Sequence, residues 1–332
     1  MDLIPDYPEL LLPGDYIAMA TELINKAQRR VYLVCLNINR CPETTEFINA
    51  ILSAAQRGVD VHVGADLLTF ICDHNTHVAS RVVGPEMLRT SKLRADFIQA
   101  GAEFHWLGVQ RVPYLLGRTH SKWTIIDDDI FAFGGVNLSH SGIAERADYM
   151  FHLTNAKLAD RLVKEQLLIE TPDPQRRIAD VNIHTKYGTV LLDSGRFGRS
   201  GIYRHALKLA KEAESLLVVS QYCPTGKLGR IIRNKDSRVY FNPKGSANDI
   251  ANNFMIGSKK TTSSQENLYT RDRYIHSKFI IATMPNGSKK AITGSHNYAA
   301  ISGRAGTREV AIETTDPNII RQLEDFFTNE IK

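Results

Sequence analysis

Two stretches decide the reading of this 332-residue chain: residues 120–137, HSKWTIIDDDIFAFGGVN, and residues 276–297, HSKFIIATMPNGSKKAITGSHN. Each opens on His-Ser-Lys, runs through apolar residues, turns, and closes on Gly-x-x-Asn. In a chain with 11 histidines, one His-x-Lys is close to a chance match. Two matches, each followed by the same closing signature, are not. On a strand, residues i and i+2 point the same way. An H-S-K strand therefore projects His120 with Lys122, and His276 with Lys278. Trp123, Ile125, Phe279 and Ile281 fall on the opposite side as core.

The flanking sequence repeats one plan. In the first half, apolar spacing predicts a helix over 14–29, a strand over 31–36, a helix over 44–57 ending at Gly58, and a strand over 59–63. A helix near 91–100 and a strand at 103–107 follow. In the second half a helix near 200–213 precedes a strand over 216–220. A short helix at 226–233 precedes a strand around 239–241. Closing helices are expected near 156–169 and 316–330. Strands alternating with helices predict an α/β fold of two similar halves, each a mixed, mostly parallel sheet flanked by helices. The expected boundaries are a first half at 1–170, a linker at 171–190 and a second half at 191–332. The halves differ most ahead of the H-S-K segments, where the second half has the polar stretch 243–274.

Composition bounds the function without choosing it. Apolar residues make up 43% and charged residues 23% of the chain, as in an ordinary globular protein. The net charge of +5 suits an anionic ligand, whether a phospholipid headgroup or a nucleic acid. Cys35, Cys41, Cys72 and Cys223 form no Cys-x-x-Cys pair, so neither a disulfide scaffold nor a zinc site is expected. Cys72, Asp73, His74 and His77 read as a polar loop rather than a metal cluster. His62, His105, His152, His184 and His205 read as hydrogen-bonded structural residues. No apolar run reaches the length needed to span a bilayer, and the N-terminus lacks a signal peptide's basic start. A cytoplasmic protein, peripheral on the inner membrane face when it meets lipid, is the expectation.

Two histidines and two lysines brought together repel one another unless an anion sits among them. A phosphodiester fits. Its non-bridging oxygens gain charge during transfer, and ammonium groups fixed in advance stabilise that charge. One neutral imidazole can attack phosphorus and form a phosphohistidine. The second can protonate the leaving alcohol and later deprotonate the acceptor. Neither a metal nor a cofactor is called for. Each histidine also needs an orienting acid. Asp148 lies 28 residues beyond His120, and Glu309 lies 33 beyond His276. The second hairpin is four residues longer, so the offsets nearly agree. Each acid is therefore assigned to the histidine of its own segment.

These residues resemble the phospholipase D superfamily: His-x-Lys-x-x-x-x-Asp with Gly-Gly-x-Asn, then His-x-Lys with Gly-Ser-x-Asn. The pairing of the last two motifs, with ELLLPGDYIAMATELINKAQRRVYL at residues 9–33, looks closest to the bacterial cardiolipin synthase-like branch. The resemblance implies two α/β halves about a pseudo-two-fold axis, one shared site and the phosphohistidine route. Carried over by position, His120 is the nucleophile and His276 the general acid/base. Lys122, Lys278, Asn137 and Asn297 bind phosphoryl oxygens, with Gly135 and Ser295 beside them. The motif aspartate is Asp127, read as structural; Thr283 replaces it in the second half. The expected function is metal-independent phosphatidyl transfer or hydrolysis on anionic phospholipids, by a monomer. A nuclease of the same superfamily and an inactive phosphate-binding module are the alternatives.

Overall fold

The computed structural model describes residues 7–67, 69, 85–108, 118–171, 178–246, 256, 266–299 and 306–332. Cys72, Asp73, His74, His77 and most of the polar stretch 243–274 lie outside them. In the first half, strand β1 (Glu9–Leu11) and helix α1 (Pro13–Lys26) lead to β2 (Arg30–Cys35), α2 (Thr45–Gln56) and β3 (Asp60–Asp66). Then come α3 (Pro85–Gln99), β4 (Glu103–Leu107), β5 (Trp123–Ile126), β6 (Asp129–Ala132), β7 (Arg146–Ala147), β8 (Met150–Thr154) and α4 (Ala156–Glu170). The second half contains β9 (Val181–Thr185), β10 (Gly188–Leu192), α5 (Gly201–Glu212), β11 (Ser215–Val219), α6 (Gly226–Arg233) and β12 (Asp236–Tyr240). It closes with β13 (Tyr274–Ile275), β14 (Phe279–Thr283), β15 (Lys289–Gly294), β16 (Val310–Thr314) and α7 (Pro317–Phe326).

Local chemistry explains the element ends. α1 starts on Pro13, whose missing N–H is no loss in a first helical turn, and buries Tyr16, Ile17, Ala20 and Ile24 on one stripe. Asn155, Ser200 and Asp316 cap α4, α5 and α7 by accepting backbone N–H bonds from Leu158, Tyr203 and Ile319. Three cores result. α1, α2 and α3 cover one face of the first sheet, and α5 and α6 one face of the second. α4 and α7 lie in a central core shared by both sheets, with Trp123, Ile125, Phe279 and Ile281. Tyr149 joins the halves there: its hydroxyl is 2.6 Å from Thr293 Oγ1, and its ring meets Phe326 edge-on at 4.7 Å.

The mixed α/β class and the two helix-flanked sheets are as expected, but the strand pairing is not mostly parallel. The first sheet runs β1-β8-β6-β5-β2-β3-β4 and the second β12-β11-β14-β15-β16-β10-β9. Only β2–β3, β3–β4 and β11–β12 are parallel within them. Those pairs arise from strand–helix–strand units. The hairpin after each H-S-K segment returns the chain alongside itself, so its pairs must be antiparallel. A second difference lies in the expected linker. Val181–Thr185 pairs with Gly188–Leu192 as an edge hairpin of the second sheet, so a strand of that sheet and part of its neighbour fall inside 171–190. The alternation of Val181, Ile183 and Thr185 was its signal in the sequence.

Antiparallel order also positions the site. β5 and β8 run one way and β6 the other. The start of β5, the end of β6 and the start of β8 therefore share one edge of the sheet. β14, β15 and β16 repeat this in the second sheet. Residues 120–122 and 276–278 precede β5 and β14 rather than lying within them, because each is drawn away to bond with the other half. Asp148 and Glu309 likewise precede β8 and β16.

Candidate active site

Each H-S-K segment is anchored on the opposite half. Tyr274 and Ile275 pair in parallel with Arg146 and Ala147, and the Ala147 carbonyl accepts the His276 N–H at 3.0 Å. Thr119 bridges to Arg308, whose carbonyl accepts the His120 N–H at 2.8 Å. These exchanged backbone bonds set each histidine against an acid of the other half. His120 Nδ1 lies 2.9 Å from Glu309 Oε2, and His276 Nδ1 lies 2.6 Å from Asp148 Oδ2. The assignment of each acid to its own segment is thereby corrected. Sequence offset measures position along one half, whereas the halves meet face to face and swap their acids.

All four groups are buried, as are Lys122 and Lys278. The lysine ammonium groups bond the carbonyls of His120 and His276 respectively, at 2.9 Å for Lys122. Burial, then the two lysines and Arg118, hold the His120 imidazole well below its ordinary range. Burial, Lys278 and Arg146 do the same for His276. Burial also raises Asp148 and Glu309. The uncharged ring is thus favoured, with Nδ1–H on the acid and a lone pair on Nε2. That tautomer is the one a nucleophile needs.

The lysines are lowered too, chiefly by burial: Lys122 to about 8 and Lys278 to about 7. Deprotonation removes positive charge from the site, so anion capture weakens as pH rises. In the free enzyme kcat/KM is expected to fall through roughly pH 7–8, where the ammonium groups are lost. A pH–rate profile checks this; a limb flat to about pH 9 would show that neither charge matters.

The Gly-x-x-Asn segments split into positioning and reactive parts. A Cβ on Gly135 would sit 2.7 Å from Asp148 Oδ2 and 2.9 Å from the His276 carbonyl, so only glycine fits. Its N–H donates to Asp148 Oδ1 at 3.1 Å. The Ser295 hydroxyl donates to Glu309 Oε2 at 2.5 Å and accepts from the Val310 N–H. Both were expected to bind substrate; in the structure both hydrogen-bond the acids. Asn137 and Asn297 are buried with no partner for Oδ1. An acceptor of this kind is costly to leave unpaired, and a donor such as a lysine ammonium or a protonated ligand oxygen would meet it. Asp127 sits away from this group. At φ 52° in the β5–β6 turn, it accepts the N–H groups of Gln28, Arg29 and Arg30 and ties α1 to the hairpin.

One pair of residues escaped the sequence reading. Asp66 Oδ2 accepts the N–H of Thr119, which precedes His120, at 2.9 Å. Asn242 Oδ1 accepts the N–H of Ile275, which precedes His276, at 2.8 Å. Both stand six residues after the first residue of their strands, Asp60 and Asp236. Aligning 60–66 with 236–242 would have found them.

Residues 20–166 match the family model described as "Cardiolipin synthase, PLD-like domain". Comparison with curated proteins gives no match. Among solved structures, phosphatidylserine synthase from Haemophilus influenzae Rd KW20 is similar, with a TM-score of 0.72 at 15% identity. That similarity covers 98% of this chain and 86% of the other. Polyphosphate kinase from Porphyromonas gingivalis follows with a TM-score of 0.61 at 13% identity, over 96% of this chain and 49% of that one. At these identities both show a shared fold. The fold is shared with both structures, and residues 20–166, which carry the first His-Lys-Asn set, match the cardiolipin synthase, PLD-like domain.

Proposed function

We propose that the protein is a phosphatidyltransferase or phospholipase D acting on anionic phospholipids at a membrane surface. The observation that carries the chemistry is the exchanged pair of His–carboxylate contacts beside two buried lysines. His276 first takes up a solvent proton on Nε2 beside the substrate's negative charge. His120 Nε2 attacks phosphorus, and the bond from phosphorus to the leaving oxygen breaks as His276 passes that proton to the leaving oxygen. An acceptor hydroxyl or water then loses its proton to His276 and attacks phosphorus, breaking the P–N bond. Lys122, Lys278, Asn137 and Asn297 hold the non-bridging oxygens through both steps. All the residues of both steps come from one chain, which supports activity as a monomer.

Two features favour a lipid over a nucleic acid. The matched family model carries a cardiolipin synthase description. Phe197 is 69% exposed between Arg196 and Arg199, and its loop abuts Gly306, three residues before Glu309. An exposed aromatic among cations beside a site suits an anionic bilayer surface. Among the described residues no helix is long and apolar enough to cross a membrane, so the proposed contact is peripheral.

The test is turnover with excess EDTA on phosphatidylglycerol vesicles and, separately, on single-stranded DNA. Lipid products, with DNA intact, are expected, because the lysines supply the charge. DNA cleavage with lipid untouched would replace this reading with a nuclease. No turnover on either would leave a phosphate-binding module.

A further inference from the structure

A second cluster lies on the first half, away from the histidine–lysine site. His62 stands on β3, four residues before Asp66, near the end of the strand opposite the active-site edge. Its register partner on β4 is Glu103, with His105 two residues on, on the same face. Glu170, the last residue of α4, reaches the same spot. We propose that His62, His105, Glu103 and Glu170 form a binding site for one divalent transition-metal ion of the zinc class.

The geometry argues first. His62 Nδ1 lies 2.8 Å from Glu170 Oε2 and 3.9 Å from Glu103 Oε2. His105 Nε2 lies 3.1 Å from the same Glu103 oxygen and 3.8 Å from the same Glu170 oxygen. Bonds of about 2.0–2.1 Å to a tetrahedral ion put its ligand atoms about 3.3 Å apart. The four separations bracket that value, and ligand atoms of His62, His105 and Glu170 all lie within 4.8 Å of one another, so side-chain rotation with Glu103 joining from the solvent side would complete the shell. Two imidazoles with two carboxylates suit zinc and its neighbours, not calcium or magnesium, which take oxygen ligands.

The surroundings argue independently. The other ring nitrogen, His62 Nε2, lies 3.3 Å from Asp60 Oδ1, and the Tyr32 hydroxyl donates to Asp60 Oδ2 at 2.7 Å. Tyr32 also stacks on His62 at 4.4 Å. Gln166 donates to the remaining Glu170 oxygen at 2.7 Å. An imidazole whose far nitrogen is held by a carboxylate, with that carboxylate itself held, is how metal-binding histidines are oriented. Charge argues the same way. Among the described residues, the ion-pair partners of Glu103 and Glu170 are these two histidines, so three carboxylates gather with no lysine or arginine to balance them. His62 and Glu170 are buried, His105 is a quarter exposed and Glu103 is open to solvent, which gives an ion a way in. A bound ion would pin the end of α4 to β3 and β4.

The experiment uses the full chain, stripped with EDTA and returned to chelator-free buffer. Calorimetric titration with zinc chloride is expected to give one site per chain, and the thermal midpoint to rise with saturation. Cobalt(II) in its place is expected to give the intense visible bands of a four-coordinate ion. Asp60→Asn removes only the outer partner of His62 and is expected to weaken binding about 10- to 100-fold. His105→Asn, at a partly exposed position, is expected to abolish it. X-ray absorption on zinc-loaded wild-type protein should count two imidazoles, a reading that depends on no variant. Failure to take up stoichiometric metal, or uptake unchanged in His105→Asn, would overturn the proposal and leave a hydrogen-bonded cluster only.

Discussion

Replacing His120 with alanine is expected to lower turnover by at least about 10⁴-fold, with no leaving group able to restore it, because the covalent step loses its nucleophile. His276→Ala should behave differently. Loss of a general acid costs about 10²–10⁴-fold when the leaving group is a poor one such as an alkoxide. A p-nitrophenyl phosphodiester needs no proton to depart. On that substrate His276→Ala should release a burst of one nitrophenol per chain and then stall, because no base remains to activate the acceptor. His120→Ala should give no burst. The opposite pattern would exchange the two roles; a burst from both variants would remove the covalent step. Unchanged thermal midpoints would show that the variants fold.

The acids should follow the histidine they touch, not the half they belong to. Asp148→Asn is isosteric but turns the His276 ring toward the wrong tautomer, a change worth about 10⁴-fold in a comparable hydrogen-bonded pair. It should therefore resemble His276→Ala and keep the burst. Glu309→Gln should resemble His120→Ala and lose it. This contrast is sharp because sequence position predicts the reverse. A burst kept in Glu309→Gln and lost in Asp148→Asn would mean that each acid serves its own segment. Ser295→Ala, which frees one bond to Glu309, should show a weaker form of the Glu309 defect.

Much of this was legible in the sequence. Buried strand segments such as residues 31–35 and 216–219 are continuous apolar runs, and helices such as residues 226–233 carry clear apolar stripes. The motif residues were legible because two copies occur at matching places. Three things were not. Strand direction was hidden because apolar content is the same in parallel and antiparallel buried strands. The exchange of acids was hidden because it depends on how two halves face each other. The parts of Gly135 and Ser295 were hidden because a motif does not say whether a donor meets the substrate or a neighbouring carboxylate. Single histidines were the hardest. His62 and His105 read as isolated structural residues, 43 positions apart, until parallel pairing of β3 with β4 set them side by side.

Both halves build one site, in which one histidine is proposed to carry the phosphoryl group. Rapid quenching into alkali during turnover, followed by peptide mass spectrometry, tests it most directly, because a phosphohistidine survives base. One adduct per chain is expected, on the peptide containing His120, accumulating further in His276→Ala. Absence of any adduct under turnover, or equal labelling of the His120 and His276 peptides, would contradict it.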